Sequence, residues 1–347
     1  SATVKDASGS VMSGATVTWS SSASGVATVS SAGLVTAVTN GTATITATSG
    51  SVNGTAAVTV TQVASSVTLS PTSVAFVSIG DTATLAATVK DAGGATMSGA
   101  TVTWSSTNAA VATVSSAGLV TSIATGSVTI TATSGTVSKS APVTVTQVAA
   151  TLEVSPTSLA FSSVGDTATL TATVKDAAGS VMTGATVTWS SSDAAVTTVS
   201  SAGLVTSVAD GNTTITGTSG SATGTAGISV AQTAASVTLS PTSLSFTSFG
   251  DTTTLAPTVK DAVGNTISGA TVTWATSNSS IATVSSTGLV TGIATGSATI
   301  TATSGSLTAT ASVTVAVSAS LELSDIVLIF ASLGDMTQLT ATVKDAG

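Results

Sequence analysis

The chain contains no cysteine, no histidine, no arginine and no tyrosine. Without cysteine there is no disulfide framework and no thiol chemistry. Without histidine, the commonest metal ligand and the commonest general base are both missing. Charged residues make up 6% of the 347 residues, against roughly a quarter in an ordinary globular domain. Six lysines face 14 acidic residues, for a net charge of −8, which argues against nucleic-acid partners. Long apolar runs are lacking as well. The longest fully apolar run is Ile326–Ala331, whereas a membrane-spanning helix needs about 20 residues. No membrane insertion is therefore expected in this segment, despite a mean hydropathy of +0.59. No helical periodicity and no leader peptide are visible. The chain starts at Ser1, and the reading adopted is that of a window cut from a longer protein.

What is present is a period. The Lys-Asp pair recurs at Lys5-Asp6, Lys90-Asp91, Lys175-Asp176, Lys260-Asp261 and Lys344-Asp345, in steps of 85, 85, 85 and 84 residues. Trp19, Trp104, Trp189 and Trp274 keep the same 85-residue beat. A repeat of this kind governs the whole reading of the fold. Ala/Ser/Thr-rich phrases, "TQVASSVTLSPTS" from Thr61 and its counterparts from Thr146 and Ala231, precede each fresh apolar alternation. They place the domains at 1–63 (lacking its first strands), 64–148, 149–233, 234–317 and 318–347 (the beginning of a further unit). Because 1–63 lacks the region that 318–347 carries, head-to-tail completion between chains by strand donation is a second expectation.

Within a unit the pattern is that of strands. In "DTATLAATVKD", Ala83, Leu85, Ala87 and Val89 share one face, and Thr82, Thr84, Ala86, Thr88 and Lys90 fall on the other. Such strict alternation reads as a half-buried strand. Ala100, Val102 and Trp104 alternate likewise, as do Val128, Ile130 and Ala132. Seven or eight short strands follow for each unit. "DASG", "DAGG", "DAAG" and "DAVG" place an aspartate (Asp6, Asp91, Asp176, Asp261) first and a glycine fourth, the type I turn preference. "TNGT" at Thr39–Thr42 and "ADGN" at Ala209–Asn212 read as hairpin turns. The expected fold is all-β, a tandem array of β-sandwich domains of about 85 residues. Its core comprises Trp19, Trp104, Trp189 and Trp274, packed between the sheets, with Phe76, Phe161 and Phe246.

The unit beginning "VSPTSLAFSSVGDTATLTATVKDAAG" and continuing through "VTWSSS", "SSAGLVT" and "TTIT" resembles a bacterial Ig-like domain of group 2, the type found in intimin- and invasin-like surface proteins. Counterparts of these motifs, ending in a G-x-x-x-I-T run, occur in order in all three complete units. The resemblance implies an Ig-like sandwich used as a passive spacer in extracellular proteins. The last fragment departs from it, with Asp325 where the others have Pro71, Pro156 and Pro241.

Carboxylates are the only candidates for chemistry. Within a unit, the aspartate of "GDT" (Asp81, Asp166, Asp251, Asp335) and that of "KDA" are ten residues apart. Ten residues of strand span roughly 30 Å, too far for an acid/base pair. Turn capping is the reading adopted for them, and no catalysis is expected. No cofactor is expected either; calcium at the domain junctions is the alternative, disfavoured because the linkers carry almost no carboxylates beyond Glu153 and Glu322. The function expected is a structural spacer in an extracellular or cell-surface stalk, with neighbouring Ig-like domains of the same or identical chains as partners. Three rivals stand beside it. One is a self-assembling filament or sheath, since low charge permits lateral self-association of edge strands. The others are an adhesin module that grips carbohydrate or a host protein, and a phage-tail Ig-like domain.

Overall fold

The computed structural model describes residues 1–324 and 327–345; Asp325 lies outside them. These residues are entirely strands, turns and loops. They form two compact units. One comprises Ser1–Val148 with the loop Asp176–Ser180, and the other comprises Ala149–Lys175 with the described residues from Val181 onward.

The fourth repeat, within the second unit, shows the architecture. One layer is a four-stranded sheet in the order Ser243–Phe246, Leu307–Val315, Gly296–Ser304, Thr273–Thr276. Its first pair is parallel and the rest antiparallel. The opposing layer is split. Ser236–Ser240 pairs with Ala256–Lys260, and Thr252–Thr254 pairs with Leu289–Gly292, which pairs with Ala282–Val284. The break falls at Leu255, whose N–H bonds instead to the Gly288 carbonyl at 2.9 Å. Nine strands thus arise where seven or eight were expected, because single runs of alternating sequence are divided between two partners.

The alternation explains the burial. Val313, Val290, Ile300 and Leu255 are fully buried, with Phe246 and Leu244 beside them. The outward positions are Thr and Ser, which suit a pleated, solvated face. The third repeat builds the same core from Leu170, Val205, Ile215, Ile228 and Phe161. In the first unit, the second repeat builds it from Leu85, Val120, Ile130, Val143 and Phe76. The first repeat buries Ala27, Ala43 and Ile45. It leaves an open groove of about 590 Å³ beside Trp19, Ile45 and Val58.

The four tryptophans are half-buried. The reason is position, since Trp104, Trp189 and Trp274 stand on the outermost strand of the four-stranded sheet, with one sheet neighbour only. Each ring still packs on the core edge. One expectation is corrected here: Asn40-Gly41 and Asp210-Gly211 do not close hairpins. Leu204–Ser207 pairs with Thr167–Thr169 and Thr197–Val199, while Gly211–Ser219 pairs with Thr188–Ser191 and Ala222–Val230. The turn therefore crosses from one layer to the other. Gly211 manages this at φ +148°, with its Cα so close to Val196 that a Cβ would sit 2.9 Å from a methyl carbon. The hairpins close elsewhere, at the two-residue loops Gly220-Ser221 and Gly305-Ser306, where the glycine φ values are +57° and +60°. A glycine with positive φ at the first central position is the type II′ pattern.

Candidate functional site

Among the described residues, the buried charged side chains are Asp176 and Asp261. They begin as turn residues. Asp261 accepts hydrogen bonds through Oδ1 from the N–H of Val263 at 3.1 Å and of Asn265 at 2.8 Å. Its own carbonyl accepts from Gly264 N–H at 3.1 Å. This is an aspartate-capped turn closed by a single bridge between Lys260 and Thr266. Asp6, Asp91 and Asp176 cap their turns with Oδ1 in the same way.

The second oxygen has another task. Asp261 Oδ2 accepts from Gln232 Nε2 at 2.8 Å and from the backbone N–H of Val164 at 3.2 Å. Gln232 belongs to the connection between the third and fourth repeats, and Val164 to the loop ahead of Asp166 in the third. Asn265 Nδ2 donates to the Val164 carbonyl at 2.6 Å. Both polar groups of the Val164 peptide face are thus held by the turn of the next repeat. The loop that presents Val164 is fixed by Asp166, which accepts from the N–H groups of Ser162 and Ser163 through Oδ2. The two aspartate types, remote within one repeat, therefore meet through loops of consecutive repeats.

The connection itself is tied on both sides. Ala231 N–H bonds to the Phe161 carbonyl, Thr233 N–H to Ser162, and Ala235 N–H to Lys260, at 3.0, 2.9 and 2.8 Å. Gln232 N–H is capped by Asp210 at 2.8 Å.

Asp261 is 3% exposed. Burial alone would raise its pKa, but the hydrogen bonds from Gln232, Asn265 and Val164 outweigh it and lower the value to about 2. In the first unit, Asp176 is likewise buried. Its Oδ2 accepts from Gln147 Nε2 at 2.9 Å and Ile79 N–H at 3.0 Å. Burial works against its ionisation, and the bonds from Gln147, Ile79 and Ser180 more than compensate, so its pKa is lowered too. Asp91 accepts from Gln62 Nε2 at 2.8 Å, and that bond is the main cause of its lowered pKa. The sequence carried a signal for this arrangement: Gln62, Gln147 and Gln232 repeat at intervals of 85 residues.

The side chains of the other candidate residues lie elsewhere. Phe76, Phe161 and Phe246 are buried in the cores. Among the described residues, no group of three or more carboxylates is gathered as a metal cluster. Glu153 instead pairs with Lys175 at 2.9 Å on the surface.

A family model described as bacterial Ig-like domain (group 2) matches residues 1–60, 63–145, 148–230 and 233–315. Among curated proteins none matches. Among solved structures, similarity extends to surface layer protein SbsC, domains 1–6, with 21% identity over 92% of this chain and 56% of that one, at a TM-score of 0.27. The chain thus spans about half the length of that structure. Invasin, described as a bacterial integrin-binding protein, gives 18% identity over 95% of this chain and 77% of that one, at 0.37. The Escherichia coli adhesin FdeC gives 20% identity over 72% and 96%, at 0.31.

Proposed function

The chain belongs to the bacterial Ig-like domain family, group 2, and from that premise we propose that it is the structural repeat region of a bacterial cell-surface or extracellular stalk. Its work is reach, not catalysis. Each complete repeat contributes strands of up to nine residues, or roughly 30 Å at the usual rise per residue, and a series of repeats multiplies that length.

The observation that supports this reading most is the connection at residues 231–235. It passes from the strand Ala222–Val230 into Ser236–Ser240 with hydrogen bonds to both repeats. A linker meant for free swivelling would be left solvated and rich in glycine. Composition supports an exposed setting. With six lysines and no arginine, the chain gives trypsin-like proteases little to cut.

Small-angle scattering of the whole chain tests the proposal. A compact globule of this length has a radius of gyration of about 20 Å. The stalk reading expects a value well above that, and a value near it overturns the reading. Antibody labelling of the intact producing bacterium tests the location. Surface labelling is expected, and labelling only after lysis would refute it.

A further inference from the structure

The third and fourth repeats meet through a carboxylate that has no cation beside it in its hydrogen-bond set. Asp261 is buried, yet every donor to it is a neutral N–H: two from its own turn, one from Gln232, one from Val164, and Asn265 Nδ2 at 3.4 Å. An ionised carboxylate out of water is costly unless its lone pairs are filled. Here two of the five donors, Gln232 and Val164, come from outside its own turn. Withdrawing the third repeat would remove Val164 N–H from Asp261 and strip the Val164 carbonyl of Asn265. Loss of Gln232 would remove the shortest bond to Oδ2. The burial of the charge and the placement of the neighbour are therefore one event.

We propose that this joint is a metal-free latch, in which Asp261 and Asn265 clamp the Val164 peptide of the preceding repeat while Gln232 of the connection closes the carboxylate's remaining side. The interaction surface is the turn Asp261–Asn265 of one repeat, and its partner is the loop Ser162–Asp166 of the repeat before it. The Asn265 bond to the Val164 carbonyl is short, 2.6 Å, and because the Val164 N–H is held by Asp261, the clamp fixes angle as well as distance. Calcium, the usual stiffener of extracellular arrays, has no role at such a joint: the six to eight oxygens it requires are replaced by N–H donors, which repel it.

The latch deepens the stalk reading and rests on it only for its purpose. Its test is independent. The absence of cysteine allows spin labels at Thr223→Cys and Thr308→Cys in the full chain, both exposed strand positions in the second unit. Pulsed electron–electron distances should show one narrow peak. Gln232→Ala and Asn265→Ala should each broaden it, and the pair should abolish it. Tryptophan emission and hydrogen exchange in the cores should stay unchanged, since neither side chain enters a core. A narrow peak that survives the double variant overturns the latch. Chelation by EDTA should leave the peak as it is; a peak broadened by EDTA and restored by calcium also overturns it. A narrow peak in a chain that scatters as a compact globule would uphold the latch and refute the stalk.

Discussion

A Cβ built on Gly118 would stand 2.3 Å from the carbonyl oxygen of Leu85 and 2.9 Å from Cζ2 of Trp104. The "SSAGL" glycine thus sits where buried Leu85, at the break between Thr82–Thr84 and Ala86–Lys90, and the half-buried indole converge. Its N–H and carbonyl are both engaged, the carbonyl by Leu85 N–H at 2.9 Å.

Gly118→Ala should therefore unfold or strongly loosen the second repeat. Gly94 has a similar φ, +85° against +79°, but open space around its Cα. Gly94→Ala should cost only the backbone term, about 1 kcal/mol, and Gly118→Ala several times that. Hydrogen exchange across Leu119–Ser122 reads the difference; equal effects would show that the close approach has no energetic consequence.

Ile215→Ala should cost about 2–5 kcal/mol, because the side chain is fully buried in the third core and its truncation leaves a cavity there. In a repeat array, each core is a separate account with nearest-neighbour corrections. Exchange protection should fall in Gly211–Ser219 and stay unchanged in Gly296–Ser304. A loss spread evenly over both strands would contradict independent cores.

Acid should open the joint late. Asp261 titrates at about 2, below its ordinary value of 3.8. A depressed folded-state pKa gives stability that is present above the unfolded value and lost as pH falls through the folded one. The spin-label peak should hold at pH 4 and broaden near pH 2. Asp210, which caps Gln232, and Lys260, next in sequence, are the charged neighbours to be controlled by substitution. Broadening already complete at pH 4 would contradict the assigned hydrogen bonds.

Trypsin should digest the native chain slowly. Lys90, Lys139, Lys175 and Lys260 all lie within paired strands, and cleavage requires local opening. Addition of urea should speed cleavage at all four sites together. Rapid cutting at every lysine in the absence of denaturant would count against the paired strands.

The sandwich was legible because period-2 alternation reports which face is buried without knowledge of the partner. Leu85, Val89, Val128 and Ile130 point inward for that reason. Partners were less legible. The glycine after Asn40 or Asp210 looks like a hairpin locally, and only the layer crossing distinguishes it. Trp104 reads as core by type, while its place on an outer strand depends on topology. The capping role of Asp261 was readable in four consecutive residues. Its second role was not, because Gln232 lies 29 residues away and Val164 lies 97. Periodicity held the clue, since the glutamines recur with the aspartates, but their phrase served only as a boundary marker.

The parallel pairing of Ser243–Phe246 with Leu307–Val315 also sets how the fourth repeat answers a pull. The chain enters through Ser236–Ser240, which pairs with Ala256–Lys260 in the opposing layer, runs on into the first of these strands and leaves from the end of the second. Once the entering strand has given way, traction on the two ends slides one strand lengthwise past the other, so Ser243, Leu244, Ser245 and Phe246 resist together. Peeling an antiparallel hairpin from its open end would break the rungs one by one at low force. This repeat instead yields by shear, the mode in which a short ladder withstands most.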